Sequence, residues 1–105
     1  MIEDDRVLCR TPTEGKDGGT RIPAWKFDVL RKAILHAVEG AGSEGLPFSQ
    51  LTGAVRQRLS ADDLARLGSL GWHVTTVKLE LEVRGEIARV PGVAPQRLVT
   101  GAQAG

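Results

Sequence analysis

The side chains able to do chemistry in this chain are few and far apart. His36 and His73 are well separated, and Cys9 is the single cysteine. A metal site needs several His, Cys, Asp or Glu ligands at short spacing, and the sequence offers no such set. Glu80 and Glu82 are two residues apart. On a helix they point in different directions, so they do not form an acid–base pair. No Ser or Cys has an adjacent base or sits in a nucleophile elbow. Gly15-Lys16 has a trace of a phosphate loop, but Asp17 stands where that loop needs a hydroxyl and the upstream glycine spacing is missing. The sequence therefore predicts no catalytic residue, metal, cofactor or small-molecule ligand.

Bulk properties narrow the choice further. A net charge of +1 over 105 residues is too balanced to hold a polyanion through bulk charge. Any nucleic-acid site must come from local patterning. With 41% hydrophobic but only 4% aromatic residues, the core has to be built from Leu, Val, Ile and Ala. One cysteine makes no internal disulfide and suits a reducing compartment. No apolar run approaches the roughly 20 residues that span a bilayer. The start, Met1-Ile2-Glu3-Asp4-Asp5, is acidic where a secretory signal is basic. A cytoplasmic protein with no membrane partner is expected.

Local patterning does suggest a duplex-binding surface. His73, Thr75, Thr76 and Lys78, with Arg84 beyond them, fall on one predicted helix, while Arg89, Gln96 and Arg97 fall on a predicted hairpin after it. A helix in the major groove and a wing over the backbone make complementary contacts. Arg21, Lys26, Arg31 and Lys32 extend a modest local excess, since the span 21–59 carries six Lys or Arg against three acids.

The elements that position these residues follow from periodicity and stop signals. Residues 1–22 read as an arm: Val7-Leu8-Cys9 suits one edge strand, and the turn-former-rich stretch 11–20 reads as a loop. Pro23 opens the first helix, where Phe27, Leu30, Ala33, Ile34, Ala37 and Val38 make an apolar stripe that ends at Gly40-Ala41-Gly42. A second helix runs through Gln50, Leu51, Ala54, Val55 and Leu59. Ser60 caps a short third helix over Ala61–Leu67, with Asp63 three residues on and Gly68 as its stop.

The stretch from Trp72 to Arg84 fits either period. Val77, Leu79, Leu81 and Val83 alternate as in a strand, but Val74, Val77 and Leu81 also recur at helical steps. Gly85, a natural helix stop before the strand-like Glu86–Val90, decides for helix. Pro91–Pro95 is a turn, Gln96–Val99 the returning strand, and residues 100–105 a frayed tail. The whole is a mainly α domain over 23–99 with a small β-hairpin: a winged helix-turn-helix.

The run Gly71-Trp72-His73-Val74-Thr75-Thr76-Val77-Lys78-Leu79-Glu80-Leu81-Glu82-Val83-Arg84-Gly85 resembles the motif of a small bacterial family of uncharacterised winged-helix proteins. Thr11-Pro12, Gly15 and Ile22-Pro23-Ala24-Trp25-Lys26-Phe27 are similar to that family's N-terminal segment. The resemblance implies the fold and supplies no functional residue.

Two functions follow. The first is a DNA-binding protein of the transcriptional-regulator kind, by analogy of fold. The second arises because the predicted helix has two apolar faces: Trp72, Leu79 and Val83 lie nearly opposite Val74, Val77 and Leu81. The arm covers that second face, or it serves as a homodimer or partner-protein interface with Trp72 as anchor. Glu80 and Glu82, negative charges on the very helix that would enter the groove, weigh against DNA.

Overall fold

The structure of the chain, a computed structural model, describes residues 5–12 and 15–104. The acidic Met1–Asp4, Thr13-Glu14 of the expected loop, and Gly105 lie outside the described residues.

Two strands come first, β1 (Arg6–Thr11) and β2 (Gly15–Pro23), and helix α1 (Ala24–Gly40) follows. The short strand β3 (Leu46–Pro47) leads into helices α2 (Phe48–Arg56), α3 (Ala61–Leu67) and α4 (Leu70–Arg84). Strands β4 (Ile87–Arg89) and β5 (Arg97–Thr100) and the one-turn α5 (Gly101–Ala104) close the chain. The fold is mainly helical with two small antiparallel sheets: β1-β2, and a three-stranded sheet in the order β3-β5-β4.

The apolar stripe read along α1 is its buried face, and Phe27, Leu30, Ile34 and Val38 pack with Leu51 and Val55 of α2. Leu67, Val74, Val77, Leu81, Ile87 and Leu98 complete the same core. Each such side chain contributes about 1.5–3 kcal/mol on burial, which is how so few aromatics suffice. Ser60 caps α3 as expected, its Oγ accepting the Asp63 N–H at 3.1 Å. Gly85 stops α4 in the left-handed region, φ 78°, and Glu86 N–H returns to the Leu81 carbonyl at 2.9 Å.

Three expectations need correction. The stretch 11–20 is not a loop throughout: β2 begins at Gly15 and pairs with β1, with Val7 opposite Ile22 and Cys9 opposite Thr20. Its glycine-rich composition hid it. Gly19 takes φ +140°, and a Cβ there would sit 2.6 Å from the Cys9 carbonyl oxygen, so the strand itself requires the glycine. The frayed tail is also structured: Thr100 belongs to β5, and Gly101 N–H donates to the Glu86 carbonyl at 2.8 Å. Finally, Leu46–Pro47 pairs with β5, adding a strand to the expected wing. Helix limits moved by a few residues, with α2 at Phe48–Arg56 and α4 starting at Leu70.

Candidate functional site: the surface of helix α4

Helix α4 is apolar on more than one side, and a helix of that kind must be covered on more than one side. Val74, Val77 and Leu81 face the core, fully buried. The β1–β2 hairpin lies against another face, and the contact is polar at its centre.

Glu80 lies in that contact, with its side chain 1% exposed. The Arg10 backbone N–H donates to Glu80 Oε1 at 2.8 Å, Arg10 Nε to the same oxygen at 3.0 Å, and Arg10 Nη2 to Oε2 at 2.7 Å. From the other side Arg84 Nε donates to Oε2 at 2.8 Å. Burial pushes the Glu80 carboxyl up, but the hydrogen bonds from Arg10 and Arg84 outweigh it and hold the group at about 2. The same bonds raise Arg10 further above its usual value. The Arg10 guanidinium and backbone amide thus fix the arm to the helix, and Arg84, on the helix itself, holds the carboxylate in place.

A second cluster joins α4 to the β4–β5 hairpin. Lys78 is 2% exposed, with its Nζ 2.5 Å from Glu82 Oε2 and 4.8 Å from the Phe48 ring centroid. Arg89 Nε donates to Glu82 Oε1 at 2.7 Å. Desolvation draws the Lys78 pKa down, and the Glu82 carboxylate opposes that shift.

The residues expected to touch DNA are therefore mostly engaged internally. Lys78 is buried rather than aimed at a groove. His73 is 9% exposed and donates from Nδ1 to the Ser69 carbonyl at 2.6 Å. Arg84 is paired with Glu80 and stands over the Phe27 ring at 4.6 Å. Arg89 is paired with Glu82, and Arg97 Nη1 donates to the Gly45 carbonyl at 3.1 Å. The Gln96 carbonyl accepts Phe48 N–H at 2.9 Å, and its side-chain Oε1 is buried without a partner among the described residues. Thr75, Arg84 and Arg89 are exposed, the two arginines with their guanidiniums ion-paired, while Thr76 is half-buried. Glu80 and Glu82 present no negative surface to a groove, because both are turned inward and neutralised.

The expected interface residues divide differently. Leu79 and Val83 are half-buried, whereas Trp72 is 48% exposed, edge-on to the His73 ring at 4.8 Å. Trp72, Thr76 and Leu79 form one wall of a cleft of about 250 Å³, with Cys9, Arg10 and Thr20 of the hairpin as the other. Burial, reinforced by Glu80 and opposed by Arg84, pushes the Cys9 thiol up to about 11, so it is no nucleophile. Trp25 packs elsewhere, under the Arg66 guanidinium at 4.1 Å. Sequence reasoning missed Arg10, the residue that clamps the arm. Its partner lies 70 residues away. The only local hint was an acid in the middle of an apolar helix.

These features define a small, mainly helical domain whose last long helix is sheathed by an N-terminal hairpin. The chain belongs to a family of unknown function (DUF6958), whose model matches residues 6–98 and so includes the hairpin. Comparisons with curated proteins and with solved structures gave no match. Among the described residues no helix is long and apolar enough to cross a membrane.

Proposed function

We propose that the chain is a winged-helix scaffold turned to protein interaction, with self-association through Trp72 and the hairpin as its simplest form. The order β3-β5-β4, with β4 and β5 following α4, supports the winged-helix reading. The observation that carries the functional reading is the Arg10–Glu80 clamp, which commits the surface of α4 to the chain's own arm. A helix so sheathed has little left to read a groove. Trp72 stays half exposed beside the sheath, and tryptophan is enriched among interface anchors. Among the described residues the hairpin sheet has two strands, so β2 keeps an open edge of the kind that pairs with a second copy.

Sedimentation velocity over a wide concentration range tests this, run beside anisotropy of a duplex at low salt. The expected result is a concentration-dependent dimer, lost in Trp72→Ala with helical content unchanged, and no duplex binding. A monomer throughout, with duplex affinity falling steeply as salt rises, would replace this reading with DNA binding through counterion release.

A further inference from the structure

A second cleft, of about 310 Å³, opens between α1 and the chain joining α2 to α3. Asp28, Lys32 and His36 line it from α1, with Arg58 and Asp63 opposite. The side chains of Asp28, Lys32, His36 and Asp63 make no hydrogen bond or ion pair among the described residues, although Asp28 and Lys32 stand four apart on one helix, where pairing is easy. Arg58 uses Nη1 on the Ala54 carbonyl at 2.9 Å.

The charges are sorted along the cleft. Lys26 Nζ donates to the Leu67 carbonyl at 3.3 Å and Arg66 covers Trp25, which ties the end of α3 to the start of α1. Asp63, one turn before Arg66, therefore lies towards Asp28. Arg58 lies at the far end of α1, where an Nη2 stands 3.9 Å from a Cβ built on Gly40. His36 is one turn before Gly40. The result is an acidic end with Asp28 and Asp63, and a basic end with His36 and Arg58. Lys32 stands between them. From residue 28 to residue 36 the helix rises about 12 Å. Val29, Ala33 and Leu59 supply the apolar middle.

We propose that this cleft binds a small dipolar aminocarboxylate, with its ammonium group at Asp28 and Asp63, its carboxylate at Arg58 and Lys32, and its methylene chain on Val29, Ala33 and Leu59. The volume lies at the small end of ligand pockets, roughly 300–1,000 Å³, which suits such a molecule. Matched charge at both ends selects a dipolar ligand over a singly charged one. The exposed setting makes binding weak and salt-sensitive.

The probe is ε-aminocaproate, titrated into the full chain and followed by amide NMR shifts, with caproate and hexylamine as single-charge controls. The expected shifts fall on 28–36 and 58–63, with ε-aminocaproate at least about tenfold tighter than either control. Asp28→Asn and Arg58→Gln should each weaken it several-fold, with the rest of the spectrum unchanged. Equal affinity for the controls, shifts spread over the surface, no shifts at all, or undiminished binding in both variants overturns the proposal.

Discussion

At the scale of single residues, Glu80 ties the stability of the fold to pH. Its carboxyl titrates near 2 in the folded chain against 4.5 for an ordinary glutamate. Between those values the unfolded chain binds more protons, so stability is full above about pH 4.5 and falls as pH drops towards 2. Glu80→Gln should cost about 2 kcal/mol at neutral pH, below the usual cost of breaking a buried pair because both arginines keep contact with water. The deficit, read from denaturant midpoints, should shrink as the pH falls below 4.5. A deficit independent of pH would show that the clamp is not ionic. Lys78 invites a paired test. Lys78→Met keeps the stem against Phe48 and leaves Glu82 to Arg89, so stability should change by less than about 1.5 kcal/mol. Glu82→Gln strands a buried ammonium and should cost about 2–4 kcal/mol. Reversal of that order would contradict the burial assigned to Lys78. Lys78–Glu82 and Glu80–Arg84 stand at i,i+4 spacing, but in the sequence the acids read as opposing DNA and the cations as contacting it. Their burial was not legible, because it depends on Arg10 and Arg89, which no local pattern ties to them.

At the scale of elements, legibility followed how local the signal was. The stripe of α1, the Ser60 cap and the Gly85 stop each involve residues a few positions apart, and each was readable. The hairpin was half-read: β1 showed as Val7-Leu8-Cys9, but β2 carries Gly15, Gly18 and Gly19, a composition that mimics a loop. What makes it a strand is pairing with β1 and the burial of Ile22, a tertiary cause. Gly19→Ala should therefore damage the hairpin by about 2 kcal/mol or more, since the new Cβ collides with the Cys9 carbonyl in a conformation that suits only glycine. In hydrogen exchange, the amides of 6–11 and 19–22 should lose protection while α1 keeps its own. Gly85→Ala, at φ 78° with open space around it, should cost only about 1–2 kcal/mol. Equal damage from both would mean that the close approach at Gly19 is unimportant.

At the scale of the whole molecule, the hairpin and the helical body form one unit. Deleting residues 1–23 uncovers Leu79 and leaves Glu80 without Arg10. The shortened chain should melt lower and bind a hydrophobic dye that the full chain excludes. An unchanged melting temperature would make the hairpin an appendage, and the sheath would then carry no argument about function. The order of the helices and of the β4–β5 hairpin was legible in the sequence. The fate of the α4 surface was not, since Glu80 and Glu82 looked like charges in the path of DNA until their remote partners were in view.

The clamp between residues 10 and 80 also sets a timetable. A two-stranded hairpin is marginal alone, and this one leaves the ribosome long before α4 exists to receive it. Until Glu80 arrives, Arg10 has nothing to hold, Ile22 has no completed core, and the open β2 edge is at its most available. A hairpin made well before α4 is thus secured only after it, and its folding waits on a partner 70 residues further along.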